Sequence, residues 1–108
     1  MSKRAVYEKE KEKLTEIFSD VEESKRQLVE GLIEDACFLK SENHDLKLLL
    51  SDTGMVNIHP TRKELQKPVE AAKQYLKNVN SYAVIVKTLN GVLNKNIIDD
   101  DDELSEFE

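Results

Sequence analysis

Two histidines, one cysteine and a run of aspartates are the residues of this 108-residue chain whose types lend themselves to chemistry. His44 stands in the acidic stretch ENHD and reads as a surface residue, while His59 precedes Pro60 and reads as a loop or capping residue. Cys37 has no second cysteine, so no intramolecular disulfide forms and no cysteine-based zinc site can be completed. At an apolar helical position it is a small buried hydrophobe. The run Asp99 to Asp102 invites comparison with a calcium loop, yet it lacks the glycine at the sixth position and the spaced ligands of an EF-hand. A hydrolytic or transfer site needs convergent groups. The chain has no Walker loop, GxGxxG, HExxH or nucleophile elbow. No catalytic residue, metal site or cofactor is expected.

The elements that would position any site are helices. Three Gly and two Pro leave few places for turns, and 39% apolar residues beside 35% charged ones allow only a modest core. The expected fold is all-α: a long antiparallel helical hairpin with a short N-terminal helix, assembling into a ring-like homo-oligomer. Residues 1–19 form the N-terminal charged helix, 20–98 the hairpin and 99–108 an acidic segment with too little apolar surface to fold alone.

Residues 1–19 alternate Lys and Glu, with Leu14, Ile17 and Phe18 as the anchor. Ser19 and Asp20, each with a Glu three residues on, supply a capping box for the next helix. From there Val29, Leu32, Ala36, Leu39, Asn43, Leu46 and Leu50 step by three and four, a heptad seam with one polar interruption. Gly54 suits the left-handed conformation after its end. Thr61 with Glu64 forms a second capping box, placing Pro68 in the first turn of the last helix or at a bend in it. Beyond lie two stripes, one running from Val69 through Leu76, Val79, Ala83 and Val86, the other through Tyr75, Tyr82, Ile85, Leu89 and Val92. One stripe is satisfied by the preceding helix, and the other needs a partner.

Charge is unevenly placed. Residues 99–108 hold seven acids and no base, so the remainder of a chain whose net charge is −6 sums to +1. Residues 20–52 sum to −5 and residues 61–98 to +5, which favours their pairing. Within the second segment Arg62, Lys63 and Lys67 are the candidate phosphate contacts, with Lys3 and Arg4 as a further set. Without an aromatic-and-basic pattern for base stacking, binding there would be phosphate-led and salt-sensitive. Leu104 and Phe107 share one face of any helix formed in the acidic segment, as anchors for a protein partner. The start of the chain lacks the apolar core of a signal peptide and no run is long enough to cross a bilayer, so a cytosolic site and no membrane partner are expected.

In its order of features the chain resembles the small subunit of tailed-phage terminases. The resemblance is carried by DVEESKRQLVEGLIEDACFLKSENHDLKLLL, a short loop, AAKQYLKNVNSYAVIVKTLNGVL and the acidic segment, over most of residues 20–108. It implies a non-catalytic DNA-packaging factor in the cytoplasm of an infected bacterial host. Such a factor forms a ring, holds double-stranded viral DNA, and recruits or regulates the large terminase subunit, where the ATPase and nuclease reside. Leu76, Val79, Tyr82, Val86 and Leu89 then mark the oligomer interface, and Leu104 and Phe107 the large-subunit contact. Residues 1–19 are too short for the helix-turn-helix common in that family. A structural coiled-coil adaptor without nucleic-acid binding is the alternative, and an acidic DNA mimic is opposed by the basic segment 61–98.

Overall fold

The computed structural model describes residues 1–97, with side chains through Asn94. Three helices, α1 (Lys3–Ile17), α2 (Glu23–Thr53) and α3 (Glu70–Ile97), make up 76% of the described residues. Two short strands, β1 (Val56–Ile58) and β2 (Gln66–Pro68), pair antiparallel between α2 and α3. The chain is therefore mostly helical, with a small ribbon that the all-α expectation lacked.

Helix boundaries follow burial more than capping. Ser2 accepts a hydrogen bond from the Ala5 N–H at 3.1 Å and caps α1. The expected capping box at Ser19 and Asp20 does not form: α2 begins at Glu23, and Glu22 caps it with no side-chain bond. Phe18 and Val21 are both buried across this turn, and burying two such side chains outweighs the roughly 1 kcal/mol of a cap. Ile17, expected to help anchor α1, is exposed, whereas Leu14 and Phe18 are buried. At its far end α2 stops at Gly54, whose φ of 76° and ψ of 170° belong to a region other residues avoid.

The second expected capping box also fails. Arg62 Nε reaches Glu64 at 3.0 Å, so Glu64 is not turned back to Thr61, and α3 starts only at Glu70. His59 organises this connection instead. Its Nδ1 accepts from the Thr61 and Arg62 N–H groups at 3.2 and 3.1 Å, while its own N–H donates to the Leu65 carbonyl. Pro68 closes β2 opposite Val56, where a two-stranded ribbon tolerates a missing donor.

The core runs along α2, which packs against both other helices. Leu14, Phe18 and Leu89 join Val29, Ile33, Ala36 and Cys37 of α2 in one buried cluster. Of the two stripes on α3, the one through Tyr82, Ile85, Leu89 and Val92 packs inward. Asn78 sits in line with it and donates to the Asn43 Oδ1 at 2.9 Å, while Gln74 donates to the Asn78 Oδ1 at 2.8 Å. The helices form one layer, 64 × 37 × 15 Å in extent. The radius of gyration is 19.0 Å, against about 13 Å for a compact domain of this length.

The amide pair sets the register of α3 on α2, because a sliding helix would leave both amides without partners. Asn78→Ala is expected to lower stability by about 1–2 kcal/mol by leaving the half-buried Asn43 Oδ1 without its donor. Asn43→Leu combined with Asn78→Leu should recover that loss while broadening the amide NMR spectrum through mixed registers. Urea denaturation checks the first effect, and an unchanged midpoint for Asn78→Ala would show that water replaces the bond.

Candidate functional site

The residues of α3 divide by direction, and the division defines the candidate surface. Leu89, one of the five expected interface residues, is 1% exposed and belongs to the chain's own core. Its own chain covers it, so it offers no open surface to a copy in this structure. Tyr82 is half-buried and turns toward α1. Leu76 at 50% and Val79 at 39% exposure face outward with Ala83, and Val86 is half-buried. These four continue into a shallow groove that passes Asn90 and Gly91. Among the described residues no atom outside the helix lies within 4 Å of where a Cβ on Gly91 would stand, so this part of α3 is open to close approach.

Behind that face lies a polar junction. Tyr82 donates its hydroxyl to Glu10 Oε2 at 2.5 Å, Lys13 reaches Glu10 Oε1 at 2.9 Å, and the Lys40 ammonium sits 5.4 Å from the Tyr82 ring centre. One residue from each helix thus meets the others around a carboxylate that is only 5% exposed. Burial by itself would push the Glu10 carboxyl up. The hydrogen bonds from Tyr82 and Lys13, with the Lys13 and Lys40 charges, outweigh it and hold the group below its ordinary value. Tyr82 is pushed well up by burial and by its bond to Glu10. Cys37, fully buried beside this cluster, has its thiol raised to about 11 by burial and by the Glu10 charge.

The expected phosphate contacts fall in two places. Arg62, Lys63 and Lys67 are exposed on the ribbon and its loop, and Arg62 is held by Glu64 while Lys63 and Lys67 have no ion pair among the described residues. Lys3 binds Glu42 at 2.8 Å and lies 3.9 Å from Asp45. Those carboxylates occupy the charge that was to meet a phosphate. Arg4 is exposed on the same turn. Leu104 and Phe107 lie outside the described residues.

Two features were not found by reading the sequence. Glu10 is one of several Glu residues alternating with Lys, and nothing local marks it as the buried one. Lys40, His44 and Lys47 line a groove between the helices, and their spacing of four and three did signal a shared helical face. His44 lies half-exposed at the surface, where its Nε2 donates to the Met1 carbonyl at 2.9 Å. Among the described residues no group of three His, Cys, Asp or Glu is placed to hold a metal ion. None of the described helices is long and apolar enough to cross a membrane.

No family model, curated protein or solved structure matches the chain.

Because the Glu10 carboxyl is held low in the folded chain, its contribution is present above the unfolded carboxylate value and is lost as pH falls through the folded one. Tyr82→Phe keeps the ring and removes the donor. The expected cost near neutral pH is about 1.5–3 kcal/mol, and the gap to the parent narrows on acidification below the ordinary carboxylate range. Thermal melts across that range check this. Parallel curves at every pH would show that the bond does not set the Glu10 titration.

Proposed function

We propose that this chain is a non-catalytic assembly subunit, that α2 and α3 form the antiparallel hairpin of a ring-like homo-oligomer, and that it serves as the small subunit of a phage terminase. The observation carrying the assembly reading is the outward face of α3, where Leu76, Val79 and Ala83 remain exposed, with Val86 half-buried beside them, in a single-layer chain. In a three-helix layer the outer helix α3 is flanked by a neighbour on one side only, and its open apolar stripe is covered when a copy packs on it. The terminase assignment is supported by the helical cadence of residues 20–97 followed by the acidic segment. In this reading the ribbon presents Lys63 and Lys67 to the backbone of double-stranded viral DNA, with Arg62 beside them and Arg4 on α1 as a separate contact. Leu104 and Phe107 engage the large subunit, in the cytoplasm of the infected bacterium.

The pairing of Lys3 with Glu42 and of Arg62 with Glu64 favours a second reading, a coiled-coil adaptor that assembles in the same way without contacting nucleic acid. Both readings share the interface and differ in the ribbon.

Leu76 is exposed in the single chain, so Leu76→Asp should leave helix content unchanged while association falls at least tenfold, since a charge buried at an interface costs several kcal/mol. Val86→Asp should do the same with some loss of stability. Light scattering gives the mass, and an undiminished assembly in Leu76→Asp would remove this face from the interface.

For the ribbon, filter binding of duplex DNA across a salt series should show affinity that declines steeply with salt. Lys63→Glu with Lys67→Glu should weaken it at least tenfold, and Lys3→Ala should change it little. A parent chain with no affinity at low ionic strength makes the adaptor the better account.

A further inference from the structure

The groove between α1, α2 and α3 combines an apolar floor with a cationic side. Val6, Leu39, Tyr75 and Val79 provide the floor, and Lys40, His44 and Lys47 flank an open cavity of about 270 Å³. Val79 and Tyr82 carry the surface on into the open groove along α3, where Lys87 adds another charge. Lys47 and Lys87 have no ion pair among the described residues, and Lys40 has only the Tyr82 ring and the distant Glu10 charge. The nearby acids are turned elsewhere: Glu42 and Asp45 to Lys3, and Glu10 inward to Tyr82 and Lys13. A ligand lying here meets positive charge beside apolar surface. A bare phosphate would leave that floor uncovered, whereas an acidic peptide with large apolar side chains satisfies both.

Such a peptide is present in the chain. Residues 99–108 hold seven acids, no base, and Leu104 and Phe107. We propose that the groove binds residues 99–108 of a second copy, with Phe107 on the floor by Tyr75 and Val79 and the acids opposite Lys40 and Lys47. Reach decides between copies. From Val79 to Ile97, α3 rises about 27 Å at 1.5 Å per residue, and Phe107 stands at most about 34 Å beyond Ile97 when fully extended. The chain's own segment must therefore be drawn out nearly straight to return to Val79, at high cost in conformational freedom. A second copy meets no such limit. The inference rests on the self-association proposed above and gives it a specific contact, one that competes with any large-subunit contact made by the same residues.

The test uses full chains, one batch carrying ¹⁵N, incubated together until subunits exchange. A zero-length carbodiimide reagent then joins lysines to carboxylates, and the linked peptides are read by mass spectrometry. The expected products join Lys40 or Lys47 to residues 99–108, about half of them isotopically mixed as random pairing between two copies requires. Phe107→Ala, which keeps every lysine and every acid, should reduce them at least fivefold. Same-isotope products alone, in an assembly of unchanged mass, overturn the second copy and leave self-association standing. Products undiminished in Phe107→Ala overturn the groove, because charge alone then suffices. The absence of Lys40 or Lys47 products from an intact assembly overturns the contact itself, and a chain that stays monomeric overturns both self-association and this inference.

Discussion

The hydrogen bond from Tyr82 to Glu10 ties the first and third helices together across the second. A carboxylate this deeply buried is costly unless several donors and charges satisfy it. Tyr82, Lys13 and Lys40 do so, and they come from α3, α1 and α2 respectively. Moving any one helix would strand the charge. The junction therefore fixes the rotation of α3 about its own axis, and with it which stripe of α3 is buried and which is left open. Asn43 and Asn78 add the complementary restraint along the axis.

From that arrangement the outer surfaces follow. α2 spends its small residues, Ala36 and Cys37, where it is most deeply covered. Its larger Leu28, Phe38, Leu48 and Leu49 remain exposed. A layer only 15 Å thick has no second layer to bury what the first leaves out, in contrast to the stacked architecture of most domains. Exposed apolar residues therefore persist on both helices, and they are a property of the arrangement more than of composition. The charged rim of Lys40, Lys47 and Lys87 keeps such a surface solvated while restricting what can cover it.

Periodicity made the helices legible. Steps of three and four marked α2 and α3, and the two stripes on α3 implied an inward and an outward face. They did not say which was which, because Val, Leu and Ala in one and Tyr, Ile and Leu in the other are equally apolar. Asn78 was the discriminating residue: it lies in line with the Tyr stripe and meets Asn43, the polar interruption in the α2 seam. The capping boxes misled because a cap is a small local term. Burial of Phe18 and Val21 overrode one, and a histidine accepting two backbone N–H bonds overrode the other. The ribbon escaped notice because strands of three residues leave almost no alternation to read. Glu10 was illegible for a different reason, since its burial depends on a tyrosine 72 residues away.

Cys37 turns the convergence of the helices into something that can be timed. Its sulfur is fully enclosed, and burial with the Glu10 charge raises its thiol to about 11. Only the thiolate attacks alkylating or disulfide reagents, so the closed chain is doubly protected, by occlusion and by protonation. Labelling must wait for α1 or α3 to part from α2. The single cysteine is thus a native stopwatch for that opening, reporting how often the three helices separate without any foreign probe being introduced.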